Sequence, residues 1–236
     1  MVSIEFDLLR EKALYLNKEI YNRKLVHFTW GNASIIDREN NVVAIKPSGI
    51  DFESIRKEDI VVTDLEGNVI YGDKKPSVDL KTHLTLYKYF SEINSIIHMH
   101  SKYATAYAQS SRKIKCLGTT HADYFFGDIP VTRYLDKDEI KDYEKNTGKL
   151  IVETFKKRKL DYKKVSACLV RGHGVFVWSN DANACLRKAE ILEFIAEMNF
   201  LTEVLNKLKN SKLPKHLMIK HYYRMNGANR YYGQNR

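Results

Sequence analysis

Between residues 5 and 22, Leu9, Ala13, Leu16 and Ile20 recur at helical spacing, so this stretch reads as an amphipathic helix. The texture changes over residues 28–45, where β-branched and aromatic residues around a Gly31-Asn32 break predict two strands. Ile60-Val61-Val62 and Val69-Ile70-Tyr71 flank Leu65-Glu66-Gly67-Asn68 as the arms of a hairpin. A helix is predicted from Asp79, carrying Leu80, Leu84, Tyr87 and Phe90, followed by a strand ending at His98 and a short helix over residues 103–109. Residues 138–158 read as helical, with Asn146-Thr147-Gly148 as a candidate interruption. Two strands around Gly172-His173-Gly174 fill residues 165–178. Cys185, Ala189, Leu192 and Ala196 then mark a long helix over 181–209, and a last helix covers 215–224. No repeat, low-complexity tract or linker divides the chain, and strands outnumber what regular βαβ alternation needs. The expectation is one α/β domain over residues 1–236, a mixed sheet covered by helices.

Composition narrows the class. The chain has 236 residues, 44% apolar and 29% charged, which suits one large globular domain with a substantial core. No run approaches the roughly 20 apolar residues of a membrane span, and residues 1–5 lack the basic-then-apolar layout of a secretory signal. Cys116, Cys168 and Cys185 are odd in number, far apart and without CxxC spacing; they read as packing thiols in a reduced, cytoplasmic setting. The net charge of +10 is spread along the chain. Its one dense run, Lys156-Lys157-Arg158-Lys159, sits at a helix end where the dipole favours cations. Neither a nucleic-acid nor a membrane partner is expected; an anionic small substrate is compatible with the charge.

The chemistry begins at His98-Met99-His100. Residues two apart on a strand share a face, so both imidazoles can reach one metal ion while Met99 points the other way. His173, between Gly172 and Gly174, is a third ligand candidate, and three histidines with a displaceable fourth position form a common zinc arrangement. Asp79 reads as a fourth ligand, a group behind the ligands, or the cap of the helix it opens. Gly31-Asn32-Ala33-Ser34, Lys46-Pro47-Ser48-Gly49 and Lys74-Lys75-Pro76-Ser77 each offer the short donors or basic groups an oxyanion needs, although each alone reads more readily as a turn. None matches a nucleotide-binding fingerprint. In Thr119-Thr120-His121-Ala122-Asp123-Tyr124, Asp123 is either a general acid/base or part of a capped turn. The paired tyrosines of the tail, Tyr231-Tyr232, are expected to dock on something, since disordered ends seldom carry them.

Together these segments resemble the class II aldolase/epimerase superfamily, and within it the sugar-phosphate 4-epimerase branch. The resemblance is carried, in order, by Thr29-Trp30-Gly31-Asn32, Ile45-Lys46-Pro47-Ser48-Gly49, Lys75-Pro76-Ser77 with Asp79, and His98-Met99-His100-Ser101. It continues through Gly118-Thr119-Thr120-His121-Ala122-Asp123-Tyr124, Gly172-His173-Gly174 and Tyr231-Tyr232-Gly233-Gln234. It implies a mainly antiparallel, class II aldolase-like sheet and one Zn2+ per subunit on His98, His100 and His173, with Asp79 at or near the metal. Gly31, Asn32, Ser48, Gly49 and Ser77 would hold the substrate phosphate, with Lys46 nearby. Val78 stands where a second serine is usual, so only its N–H can donate. Asp123 and Tyr232 would be the acid/base pair, contributed by neighbouring subunits of a ring-shaped homotetramer. The implied reaction interconverts L-ribulose 5-phosphate and D-xylulose 5-phosphate by C3–C4 cleavage, rotation of the aldehyde and re-addition. Two alternatives share the architecture: a fuculose- or rhamnulose-phosphate type aldolase, and a non-catalytic adducin-like interaction protein, which would be expected to lose the histidines kept here.

Overall fold

The computed structural model describes residues 6–207, 212–228 and 230–232. Its first apolar stripe forms α1 (Asp7–Asn22), which buries Ala13, Leu16 and Ile20 completely. Each of the two larger side chains contributes about 1.5–3 kcal/mol of transfer free energy. The strands that follow are β1 (Asn32–Asp37), β2 (Val42–Ile45), β3 (Val61–Asp64) and β4 (Val69–Tyr71), then β5 (Ser95–Met99), β6 (Ala167–Leu169) and β7 (Val175–Ser179). They build one seven-stranded sheet in the order β4-β3-β2-β1-β5-β7-β6. All six pairings are antiparallel, and parallel geometry is confined to an isolated bridge between Val131 and Leu169. The mainly antiparallel sheet expected from the sequence is therefore found, with less mixing than strand counting suggested.

Helices cover the sheet: α2 (Leu80–Tyr89), α3 (Lys102–Gln109), α4 (Thr119–Tyr124), α5 (Tyr143–Lys157), α6 (Ala182–Leu205) and α7 (Lys215–Asn226). The central strands β1, β2, β5 and β7 are buried almost throughout, which is why their sequences run apolar instead of alternating. Asp181 caps α6 by accepting from the Ala184 N–H at 2.8 Å. The long helix predicted to residue 209 ends earlier, at Leu205, with Asn206 as its C-cap; residues 208–211 lie outside the described chain. The interruption expected at Asn146-Thr147-Gly148 is not there. The break falls earlier, where a 3-10 turn (Glu139–Asp142) hands over to α5. Gly148 serves instead as a packing contact: a Cβ there would stand 2.6 Å from the Thr85 Cβ on α2.

All three cysteines are free and buried. Burial pushes their thiols up, to about 12 for Cys116 and Cys185, which suits packing groups over nucleophiles. Among the described residues no helix is long and apolar enough to cross a membrane.

Candidate active site

One end of the sheet gathers the chemistry. The register pairs Asn32 at the start of β1 with His98 near the end of β5, and His98 with Phe176 near the start of β7. The β2 exit (Lys46 to Gly49), the β6–β7 connection (His173) and the α2 entrance (Ser77 to Asp79) open at this same end, around a cavity of about 370 Å3.

Three imidazoles converge there. His98 Nε2 lies 3.1 Å from both His100 Nε2 and His173 Nε2. The opposite ring nitrogens of two of them are engaged: His98 Nδ1 meets the Val175 carbonyl at 3.0 Å and His173 Nδ1 meets the Tyr143 hydroxyl at 2.6 Å. A ring that donates from Nδ1 presents a lone pair on Nε2, as a metal ligand must. Burial holds all three below the usual histidine range, with His173 near 4, so the rings are neutral at physiological pH. Met99, between the pair, is fully buried. Gly174 makes the convergence possible, because a Cβ there would stand 2.8 Å from the Met99 carbonyl and 3.2 Å from the His98 ring. These three residues are the only group of metal-ligating side chains of this kind among the described residues. Neutral, preoriented nitrogen donors fit a divalent transition metal.

Asp79 occupies the N-cap position of α2, yet its side chain makes no capping bond. Its Oδ2 instead accepts from Asn32 Nδ2 at 2.7 Å and sits 3.9 Å from His98 Nε2. Burial pushes this carboxyl up, but His98, His83 and the Asn32 bond together hold it below the usual range. It thus faces the cluster as an anion. Asn32 also donates to Ser77 Oγ at 2.9 Å, so one amide fixes both the acid and a serine of the adjoining turn.

That turn and the β2 exit tie to each other through Ser48 N–H to the Lys75 carbonyl and Ser77 N–H to the Lys46 carbonyl, each 2.9 Å. The pairing occupies two amides that the resemblance offers to a phosphate, and leaves the N–H groups of Gly49 and Val78 without an acceptor among the described residues. Lys46 lies behind them, 1% exposed, with Nζ 4.7 Å from the Phe52 ring centroid and only the Pro47 carbonyl, at 3.3 Å, as partner. Desolvation lowers its ammonium to about 8. A buried cation without a carboxylate partner, beside free N–H groups and serine hydroxyls, is built to receive an anion.

The cavity also takes in Gly31, Val78, Tyr143 and Glu144. Tyr143 and Glu144 carry no motif, and their place at the start of a helix was the only sequence signal for them. Asp123 and Tyr232 do not line this cavity. Asp123 lies in α4 and accepts from Arg224 Nε at 2.9 Å, Arg224 Nη2 at 2.7 Å and His221 Nδ1 at 3.1 Å. Tyr232 is 59% exposed, its ring 4.8 Å beneath the same guanidinium. The two therefore form a second cluster, organised by Arg224 and His221 on α7, which had no signature in the sequence.

A sheet of this order with such a metal-ready end defines a class of protein, and the chain belongs to the class II aldolase and adducin N-terminal domain family, whose model matches residues 11–200. Within it, the chain is 42% identical over 227 residues to L-ribulose-5-phosphate 4-epimerase UlaF of Salmonella paratyphi C (strain RKS4594), covering 96% of this chain and 98% of that one. The UlaF of Salmonella choleraesuis (strain SC-B67) matches to the same extent. Among solved structures, an L-fuculose 1-phosphate aldolase superposes with a TM-score of 0.75 at 28% identity, over 90% of this chain and 93% of that one.

Proposed function

We propose that this protein is a metal-dependent L-ribulose-5-phosphate 4-epimerase of the cytoplasm. The carrying observation is one cavity that holds three neutral imidazoles, a half-buried carboxylate and a buried ammonium with no carboxylate in ion-pair contact. The near full-length likeness to UlaF epimerases selects this reading over the aldolase.

The hydrogen on C4 of a ketopentose is not acidic, so that centre inverts by breaking and re-forming the C3–C4 bond. As the bond breaks, the C4 hydroxyl gives its proton to a base, C4 becomes the aldehyde carbon of glycolaldehyde phosphate, and the electron pair stays with the three-carbon fragment. A divalent ion, for which zinc suits the three-imidazole set held by His98, His100 and His173, supplies Lewis-acid stabilisation of that charge. Asp79 keeps the cluster's surroundings anionic, and Asn32 fixes its aim. Lys46, the Ser48 and Ser77 hydroxyls and the N–H groups of Gly31, Gly49 and Val78 retain the phosphate while the aldehyde rotates, with Asn32 positioning Ser77, so the fragment is not lost. On re-addition to the opposite face a proton returns to the C4 oxygen from the other side. That requires two acid/base groups, and we assign them to Asp123 and Tyr232 of a neighbouring subunit in a homotetramer. Their absence from their own chain's cavity supports a shared site.

A coupled assay for D-xylulose 5-phosphate, run on metal-loaded and chelator-treated protein, tests the proposal. Turnover that chelation abolishes and metal restores is expected. Accumulation of free dihydroxyacetone and glycolaldehyde phosphate without D-xylulose 5-phosphate would establish an aldolase instead.

A further inference from the structure

The opposite end of the sheet carries a second polar cavity that the reaction does not use. Where β5 begins and β7 ends, at the paired residues Ser95 and Ser179, a space of about 190 Å3 is walled by Ser166, Trp178, Asn180 and Lys188. Two groups in this wall lack partners. Ser166 is 1% exposed and its Oγ makes no hydrogen bond. Lys188, on α6, makes neither a hydrogen bond nor an ion pair among the described residues, and burial lowers its ammonium pKa. Among the described residues lining the cavity the one carboxylate, Glu92 on the rim, is held by Lys163 at 2.9 Å. Two ammonium groups therefore face one carboxylate, and the surplus positive charge sits on the side chain without a partner.

A desolvated ammonium and an orphaned hydroxyl are each unfavourable when left alone. One acceptor-rich anion seated between them satisfies both. We propose that this cavity binds a small tetrahedral oxyanion of the inorganic phosphate class, held by Lys188 and Ser166 with the Asn180 amide as a further donor. Carboxylates are planar and offer two oxygens to these three donors, whereas a tetrahedral anion offers four. The site is separate from the phosphate cradle beside Lys46, at the other end of the same strands, and does not depend on the epimerase reading.

The chain has two tryptophans, and each lies in the wall of one of the two cavities: Trp30 beside the histidines and Trp178 here. Trp178 is fixed by donation from its Nε1 to the Tyr162 carbonyl at 2.8 Å, so its emission reports on this wall. In full-length Trp30→Phe protein, inorganic phosphate at constant ionic strength should give a saturable change in Trp178 fluorescence. Adding Lys188→Met should weaken that binding by about tenfold or more, the loss expected when a charged hydrogen-bond partner is removed. Ser166→Ala should weaken it less, and serves as the test if Lys188→Met does not fold. Lys46→Met in the same background should leave the response intact. A response that is absent, that chloride reproduces, or that disappears with Lys46→Met but survives Lys188→Met would overturn the proposal.

Discussion

At the scale of single residues, Lys46 shows the conflict between stability and binding most directly. Its ammonium falls from 10.5 to about 8 because burial removes its water and the charge of Asp51 offsets only part of that loss. The folded chain binds this proton more weakly than the unfolded chain, so the destabilisation is fully present below pH 8 and eases as pH rises from about 8 to 10.5. A shift of this size corresponds to about 3 kcal/mol. Lys46→Met should therefore unfold at higher denaturant concentration than the parent at pH 7, while its KM for the sugar phosphate rises about tenfold or more. A less stable variant with unchanged KM would remove Lys46 from the phosphate cradle. By the same titration, kcat/KM of the parent should decline above about pH 8. Tyr143 makes a second residue-level case, since its hydroxyl holds the Nδ1 side of the His173 ring. Tyr143→Phe should weaken metal binding by about 10- to 100-fold in a chelator competition, the usual effect of losing a partner behind a ligand. Undiminished affinity would make that bond incidental.

At the scale of elements, α2 and β1 mesh through a polar ladder. Asp79, His83 and Tyr87 stand four residues apart and so share one helix face. Asn32 meets Asp79, while Ser34 Oγ meets His83 Nδ1 at 2.6 Å and the Tyr87 hydroxyl at 2.8 Å. In the sequence, the helix and its apolar stripe were legible, and so was the His-Met-His strand, because hydrophobic period reports burial. A buried polar face is different: His83 looks like a solvent position until its partner strand is known. Gly148 was misleading for a related reason. A glycine that breaks a helix and one that lets a neighbour approach look alike in one dimension, and only the 2.6 Å encounter with Thr85 separates them. Gly148→Ala should improve helix propensity yet destabilise the protein by about 1–3 kcal/mol through overpacking. Because α5 also carries Tyr143, the variant should lose metal affinity in parallel; a stabilised variant would show that α2 and α5 separate freely.

At the scale of the whole molecule, the proposed roles of Asp123 and Tyr232 carry a consequence for assembly. Composition and pattern pointed to one α/β domain and to a tail that docks, but no one-dimensional signal says whose cavity a tail reaches. In the chain itself Arg224 draws Asp123 and Tyr232 together, outside the histidine cavity. Acid/base groups that do not line their own cavity can still serve a neighbour's if the subunits join head to tail, the heterologous contact that closes into a ring. This arrangement makes a prediction that a self-contained site cannot meet. On the proposed assignment, His100→Asn should inactivate the cavity that would hold the metal, and Asp123→Asn the cluster that would supply the acid/base. Each homogeneous variant should be nearly inactive. Unfolding, mixing and refolding the two in equal amounts should yield rings in which about a quarter of the sites combine an intact cavity with an intact neighbouring cluster. Activity should recover toward that fraction, whereas mixtures that stay as inactive as their components would assign Asp123 to its own chain's site or to none.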